Sequence, residues 1–158
     1  MPEPDAHRRR ASYLYGLIVT GSVLAVAPTS LRLVLVALLV LGTLVVYWAA
    51  ETYVHWIAAR THLQRPLTRD ERRSVVRDGW PLVAASAVPL LLLAVEALVR
   101  IETSLAVDLA LAVNAGLLFG VGFTMGKAGG LTGGRLVLSA AITGLLGLVM
   151  IGLKVGLH

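Results

Sequence analysis

The 158-residue chain contains no cysteine, few aromatic residues and little charge. The absence of cysteine excludes disulfides and thiolate metal ligands, and it leaves the redox compartment undetermined. Charged residues make up 15% of the chain, whereas an average soluble domain has about 25%. Asparagine occurs once and lysine twice, so twelve of the fourteen basic residues are arginine. This bias is typical of a GC-rich bacterial genome, and the shortage of charge argues against a soluble domain.

Apolar residues take the place of the missing charge. They make up 57% of the chain, and the mean hydropathy is +0.81. They are gathered in blocks of about 20 residues, the length that crosses a ~30 Å hydrocarbon layer as a helix. Backbone groups in lipid must be bonded internally, and the blocks lack the period-2 alternation of barrel strands. The predicted fold class is therefore an all-α membrane protein.

The apolar blocks predict a single domain, a bundle of five transmembrane helices with a short cytoplasmic amphipathic helix. We expect the spans at residues 13–27, 31–57, 80–99, 104–125 and 136–157, with a cytoplasmic loop at residues 58–79. The first block also resembles a secretory signal peptide that ends at Ala27. Pro28 would directly follow the cut and disfavours cleavage, so we expect a retained first span.

The loop at residues 58–79 carries the signal for the amphipathic helix. Thr68 and Glu71 have the spacing of a capping box, so a helix is expected to start there. Its arginines would form a basic face that attracts anionic lipid head groups at the membrane surface. Pro89, inside the third predicted span, predicts a kink.

The distribution of basic residues predicts the topology. With the N-terminus inside, the inner segments hold eleven basic residues and the outer segments hold three: Arg32, Arg100 and Lys154. By the positive-inside rule this places the N-terminus in the cytoplasm and the C-terminus outside, across a bacterial cytoplasmic membrane. The net charge of +5 is explained by topology, so we expect no nucleic-acid partner.

Glu51 and His55 form the first candidate site, because their i, i+4 spacing places them on one helix face. A carboxylate and an imidazole can relay a proton or bind a divalent metal. A metal needs at least one further ligand, and His62 is the nearest candidate. The alternative is that both side chains only hydrogen-bond at the membrane interface.

Three charged residues inside the spans form the second candidate site: Glu96, Asp108 and Lys154. Charges inside a span are costly and normally face the bundle or a wet cavity. Lys154 can offset either carboxylate and Arg100 can pair with Glu96, so a purely structural salt bridge is one interpretation. The other is an ion or proton pathway from this outer group through Asn114, at mid-depth, to Glu51 and His55.

Small residues recur at a spacing of four in the last two spans. Ala112, Gly116 and Gly120 form one ridge, and a second ridge comprises Ala140, Gly144, Gly152 and Gly156. Such ridges let helices approach closely, either within one chain or between copies. Since a few short spans enclose little space, we expect a homo-oligomer.

Three stretches resemble segments of small multi-pass integral membrane proteins of actinobacteria: YWAAETYVHW, RDGWPLVAASAVPLLLL and GLVMIGLKVGLH. The resemblance covers most of the chain after residue 40. It implies a multi-pass helical fold and brings no established activity. It also implies that the position of Glu51 is often histidine, which would give a His-x-x-x-His pair with His55.

Three functions remain open at this point. The first is an oligomeric membrane protein that passes or exchanges a small cation or proton. The second is an accessory or scaffolding membrane protein without transport. The third is a metal-dependent membrane enzyme that uses Glu51, His55 and His62, although no Ser, His and Asp are spaced for a nucleophilic triad.

Overall fold

The computed structural model describes residues 4–28, 30–99 and 102–157, and in this part of the chain all regular secondary structure is helical. The helices it contains are α1 (Pro4–Val26), α2 (Leu33–Leu63), α3 (Arg69–Ala84), α4 (Ala87–Val99), α5 (Thr103–Ala128) and α6 (Gly133–Leu157). The turns between them are short. The predicted all-helical class is therefore confirmed.

The prediction of five membrane spans is wrong. Of the described helices, three are long and apolar enough to cross a membrane: Leu33–Thr61 in α2, Thr103–Ala128 in α5 and Gly133–Gly156 in α6. Together α3 and α4 form a fourth span if this pair, bent by 45°, is counted as one. The predicted first span fails because α1 is polar over its first two turns, where it includes Arg8, Arg9 and Arg10.

Although α1 is not a candidate span, it packs inside the bundle against α2, α3, α5 and α6. One face of α1 is buried along its length, with Leu17 and Leu24 fully enclosed. Gly16 allows the closest approach, because a Cβ atom there would collide with the backbone carbonyl of Leu82 in α3. α1, which is too polar to count among the candidate spans, therefore runs between the other helices and is covered by them.

The predicted third span, residues 80–99, is broken rather than continuous. α3 runs through Trp80 to Ala84, and α4 begins at Ala87. The break lies four residues before Pro89, since proline has no N–H to offer Ala85 and its ring crowds that carbonyl. Ser86 caps the break by donating its hydroxyl to Val83 O at 2.8 Å. The kink expected at Pro89 is thus displaced by one helical turn.

The predicted amphipathic helix starts where the capping box places it. Glu71 N donates to the Thr68 hydroxyl at 3.3 Å, and Thr68 N donates to the Glu71 carboxylate at 2.8 Å. Arg65 adds two hydrogen bonds to the same carboxylate, which raises the pKa of the Arg65 guanidinium. The predicted loop at residues 58–79 is largely helical. α2 extends into it as far as Leu63, and α3 begins at Arg69 and continues past residue 79.

Small residues bring α5 and α6 together as an antiparallel hairpin. A Cβ atom on Gly147 would lie 2.5 Å from Ala115 Cβ, and one on Gly122 would lie 2.6 Å from Thr143 Oγ1. The ridge Ala112-Gly116-Gly120 is not used in this contact, since both of its glycines face open space. The connection between the predicted spans 104–125 and 136–157 is reduced to residues 129–132, where Gly130 adopts φ +78°.

Candidate functional site: buried polar groups between the helices

Three helices meet in a polar cluster at the N-terminal end of α1. Arg9 Nη2 lies 3.2 Å from the Asp78 carboxylate of α3, and Asp78 is almost fully buried. One turn further along α1, the Ser12 hydroxyl donates to Glu51 Oε1 of α2 at 3.0 Å. The second carboxylate oxygen of Glu51 is buried and has no hydrogen-bond partner in the described part of the chain.

The side chains of the predicted Glu51–His55 site have different hydrogen-bond partners in this structure. His55 Nδ1 lies 2.8 Å from the backbone oxygen of Glu51, whereas the Glu51 carboxylate bonds to Ser12. Within the described residues, no group of three His, Asp or Glu side chains is placed to hold a metal. The side chain of His62 lies outside the described residues, so the metal site of Glu51, His55 and His62 stays a prediction.

The middle of the bundle contains an amide and a hydroxyl that are fully buried. Asn114 Nδ2 of α5 donates to the backbone oxygen of Leu17 in α1 at 3.0 Å. Asn114 Oδ1 and Thr20 Oγ1 have no hydrogen-bond partner among the described residues. Gly21 is needed beside them, since a Cβ atom there would collide with Met150 Sδ and lie 2.6 Å from Asn114 Nδ2.

The opposite end of the bundle holds the remaining predicted residues. Lys154 Nζ of α6 forms an ion pair with Asp108 Oδ1 of α5 at 2.8 Å, and the Asp108 side chain is 60% exposed. Lys154 therefore neutralises Asp108, one of the two partners considered from the sequence. Arg100, the other cation considered for Glu96, lies outside the described residues.

Glu96 lies on the buried face of α4, together with Pro89 and Leu93. It is 2% exposed, and neither of its carboxylate oxygens has a hydrogen-bond partner in the described part of the chain. Glu96 is three residues from the end of α4 and Asp108 is five residues from the start of α5. The short link between these helices therefore places both carboxylates at the same end.

The polar groups lie at three levels along the bundle axis. Ser12 and Glu51 form the first level, Asn114 and Thr20 the second, and Glu96 with the Asp108–Lys154 pair the third. Ser12 and Thr20 are eight residues apart along α1, and Asn114 and Asp108 are six residues apart along α5. At 1.5 Å per helical residue, these separations are on the order of 12 Å and 9 Å. The sequence-predicted residues are thus distributed along one bundle, and the structure brings Asp108 and Lys154 together as an ion pair.

The buried small and polar residues of α1 are absent from the sites predicted from the sequence. Ser12, Gly16 and Thr20 are spaced by four and are all buried, so they mark one helix face. That spacing is visible in the sequence and is the signal that could have found them. The Arg9–Asp78 pair joins residues 69 positions apart, and no local pattern reveals it.

Comparisons of the chain with protein-family models, curated proteins and solved structures gave no match. The site must therefore be interpreted from its own chemistry.

Proposed function

We propose that the chain is an integral membrane protein that exchanges a proton or a small cation through Glu96. The observation that carries this proposal is the burial of Glu96 without a partner for either carboxylate oxygen among the described residues. A charged group inside a span costs about 2.5–3.5 kcal/mol on insertion scales. A carboxyl group reduces this cost by binding a proton or a cation. A buried carboxyl group that needs to bind one of these is suited to exchanging it.

The two other levels, which both lie on one side of Glu96, support a path rather than an isolated site. Each level contains a buried oxygen without a described partner: Asn114 Oδ1 and Thr20 Oγ1 at mid-depth, and Glu51 Oε2 beyond them. Oxygen atoms of this kind accept hydrogen bonds from water or coordinate small cations. The gaps of about 9–12 Å along the helices are too long for direct transfer, so the proposed path includes water between the levels.

In this proposal, the end of the bundle that contains the Arg9–Asp78 pair faces the cytoplasm. Arg9 and Arg10 line a surface cavity with Thr124 and Met125, so α1 begins beside the end of α5. The arginines of residues 58–79 belong to the same end. Positive-inside counting then places this end in the cytoplasm and the Asp108–Lys154 end outside. Because α6 runs toward the second end, its C-terminal turn would face outward.

The proposal also includes a homo-oligomer. The ridge Ala112-Gly116-Gly120 on α5 and the glycines at 152 and 156 on α6 are exposed and unused within the chain. Small residues at this spacing allow close helix approach in lipid. A second copy on these faces would enlarge the enclosed polar volume without changing the fold of one copy.

Flux measurements in proteoliposomes test the proposal. Purified protein is reconstituted into vesicles that contain a dye sensitive to H⁺, Na⁺ or K⁺, and a gradient of the ion that the dye reports is applied in each case. We expect the wild-type protein to dissipate at least one gradient faster than protein-free vesicles. Glu96→Gln should return that rate to the protein-free level, because the amide cannot exchange a proton or hold a cation by charge.

Glu102→Gln is the matched control, since it makes the same chemical change at an exposed residue near the same end. Circular dichroism and gel filtration establish that each variant is folded. If wild-type vesicles are no leakier than empty ones to any of the three ions, the exchange proposal fails. The scaffolding function is then the one to pursue.

A further inference from the structure

An aromatic groove lies between the second half of α2 and the start of α3. Its volume is about 420 Å³, and Trp48, Thr52, Tyr53 and Trp56 line its α2 side. Arg72 and Val76 contribute the α3 side. Tyr53 is 58% exposed, so the protein itself does not fill or cover this groove.

Specific contacts between α2 and α3 hold the walls of the groove in place. Trp48 Nε1 donates to the backbone oxygen of Val76 at 3.3 Å, and the Trp48 and Trp80 rings pack edge to face with centroids 6.1 Å apart. Gly79 leaves room for this packing, because a Cβ atom there would lie 3.0 Å from Trp48 Cδ1. The groove is therefore held open by the α2–α3 contact.

Arg72 is the only charged residue that lines the groove in the described part of the chain. Its guanidinium carbon lies 5.8 Å from the centroid of the Trp56 ring. A stacked guanidinium keeps its N–H donors at its edge, where they can bind a phosphate. The neighbouring carboxylate of Glu71 is already occupied by Arg65. Thr52 also lines the groove, and its Oγ1 atom is buried without a described hydrogen-bond partner.

The chemistry of the groove fits one class of ligand. Tryptophan and tyrosine side chains prefer the head-group level of a membrane, and a basic residue beside them selects a negative charge. The walls of Trp48, Tyr53 and Val76 are apolar and suit an acyl chain. The groove thus offers a phosphate contact and an apolar channel side by side.

We infer that this groove binds one anionic phospholipid, with its phosphate on Arg72 and an acyl chain along Trp48 and Tyr53. In this site, specific residues would recognise the lipid. Charge attraction by the 58–79 loop alone would not require any particular residue. The inference requires the helices to lie in a membrane, but it does not depend on ion exchange by Glu96.

Tryptophan quenching by brominated lipids tests the inference directly. The chain has three tryptophans; Trp48 and Trp56 line the groove and Trp80 packs on Trp48. The protein is reconstituted in phosphatidylcholine with increasing fractions of phosphatidylglycerol brominated on its acyl chains. A parallel series uses brominated phosphatidylcholine. We expect the anionic lipid to occupy the site about fivefold more tightly than the zwitterionic one.

Arg72→Gln should abolish this preference, and Arg72→Lys should retain most of it because the charge is kept. Arg73→Gln is the matched control, since it removes the same charge from the next residue, which does not line the groove. Equal quenching by both lipids in the wild-type protein overturns the inference. So does a preference that Arg73→Gln removes as fully as Arg72→Gln, since the attraction would then be unspecific.

A final experiment distinguishes binding of a lipid in the groove from binding of a free anion. Inorganic phosphate is added at millimolar concentration to the wild-type protein in phosphatidylglycerol. Unchanged quenching supports the lipid site. Displacement of the brominated lipid by phosphate alone would overturn it in favour of a small-anion site on Arg72.

Discussion

At the residue scale, the buried ionisable groups differ in how they are neutralised. Asp78 is paired with Arg9, and Lys154 with Asp108. Glu51 receives one hydroxyl hydrogen bond from Ser12, and Glu96 receives no hydrogen bond from the described residues. Ion pairs whose charges cancel contribute to helix packing. A buried carboxyl group without a cationic partner requires a proton or a cation to remove its charge. This difference separates Glu96 from the other charged residues of the bundle.

The Arg9–Asp78 pair is expected to couple α1 to α3. Arg9→Gln leaves Asp78 buried without its cation, so the free energy of unfolding should fall more than for Arg9→Gln combined with Asp78→Asn. The Arg9 side chain is 46% exposed, so we expect a coupling of about 1–2 kcal/mol, between the values for exposed and buried pairs. A double-mutant cycle by denaturant titration in detergent measures it.

Arg10→Gln serves as the control for that cycle. Arg10 is exposed and forms no ion pair in the described part of the chain. Equal losses of stability for Arg9→Gln and Arg10→Gln, with no coupling to Asp78→Asn, would contradict the structural role of the pair.

At the scale of single helices, local sequence signals predict where a helix begins better than they predict how long it is. The Thr68–Glu71 capping box begins α3 at the expected residue because the signal is confined to four positions. α3 then continues through Trp80-Pro81, so Pro81 lies inside this helix and ends neither it nor its hydrogen bonding to Ala85. The sequence predicts a kink at Pro89 itself, but the missing hydrogen bond and the steric conflict both act one turn earlier, at Ala85.

The close approach of α1 and α3 depends on Gly16. Gly16→Ala would place a methyl group against the Leu82 carbonyl and 2.7 Å from Ala85 Cβ. Backbone atoms cannot move aside as a flexible side chain can, so the two helices must separate. We expect the free energy of unfolding to fall by about 1–3 kcal/mol, measured by denaturant titration in detergent.

The matched variant is Gly42→Ala, where a Cβ atom meets nothing within 4 Å. The higher helix propensity of alanine should leave stability unchanged or raise it by up to about 1 kcal/mol. A Gly16→Ala protein as stable as Gly42→Ala would show that α1 and α3 are not in close contact.

At the scale of the whole molecule, the described helices form one bundle with two chemically different ends. Arg9, Glu51 and Asp78 lie at one end, and the Asp108–Lys154 pair lies at the other. Along α5, Met125 and Asp108 are separated by about 25 Å, close to the thickness of a hydrocarbon layer. The two charged clusters are therefore spaced as the two surfaces of a membrane would require.

Cysteine labelling tests which end faces the cytoplasm, and the absence of native cysteine makes each label unique. Ser30→Cys lies in the exposed turn between α1 and α2, and Thr132→Cys lies in the exposed loop between α5 and α6. By the positive-inside rule, a membrane-impermeant maleimide should label Ser30→Cys in intact cells. Thr132→Cys should react only after the cells are permeabilised. The reverse pattern would invert the proposed orientation.

The sequence by itself determined the helical class, the apolar blocks and the capping box, because hydropathy and capping act over a few neighbouring residues. It also identified Glu96, Asp108, Asn114 and Lys154, since polar residues are conspicuous among apolar ones. Only the tertiary structure decided that Lys154 pairs with Asp108 and that Arg9 reaches Asp78. It also reduced five expected spans to three or four. Partner choice and burial arise from contacts between helices distant in the chain, and no local pattern encodes those contacts.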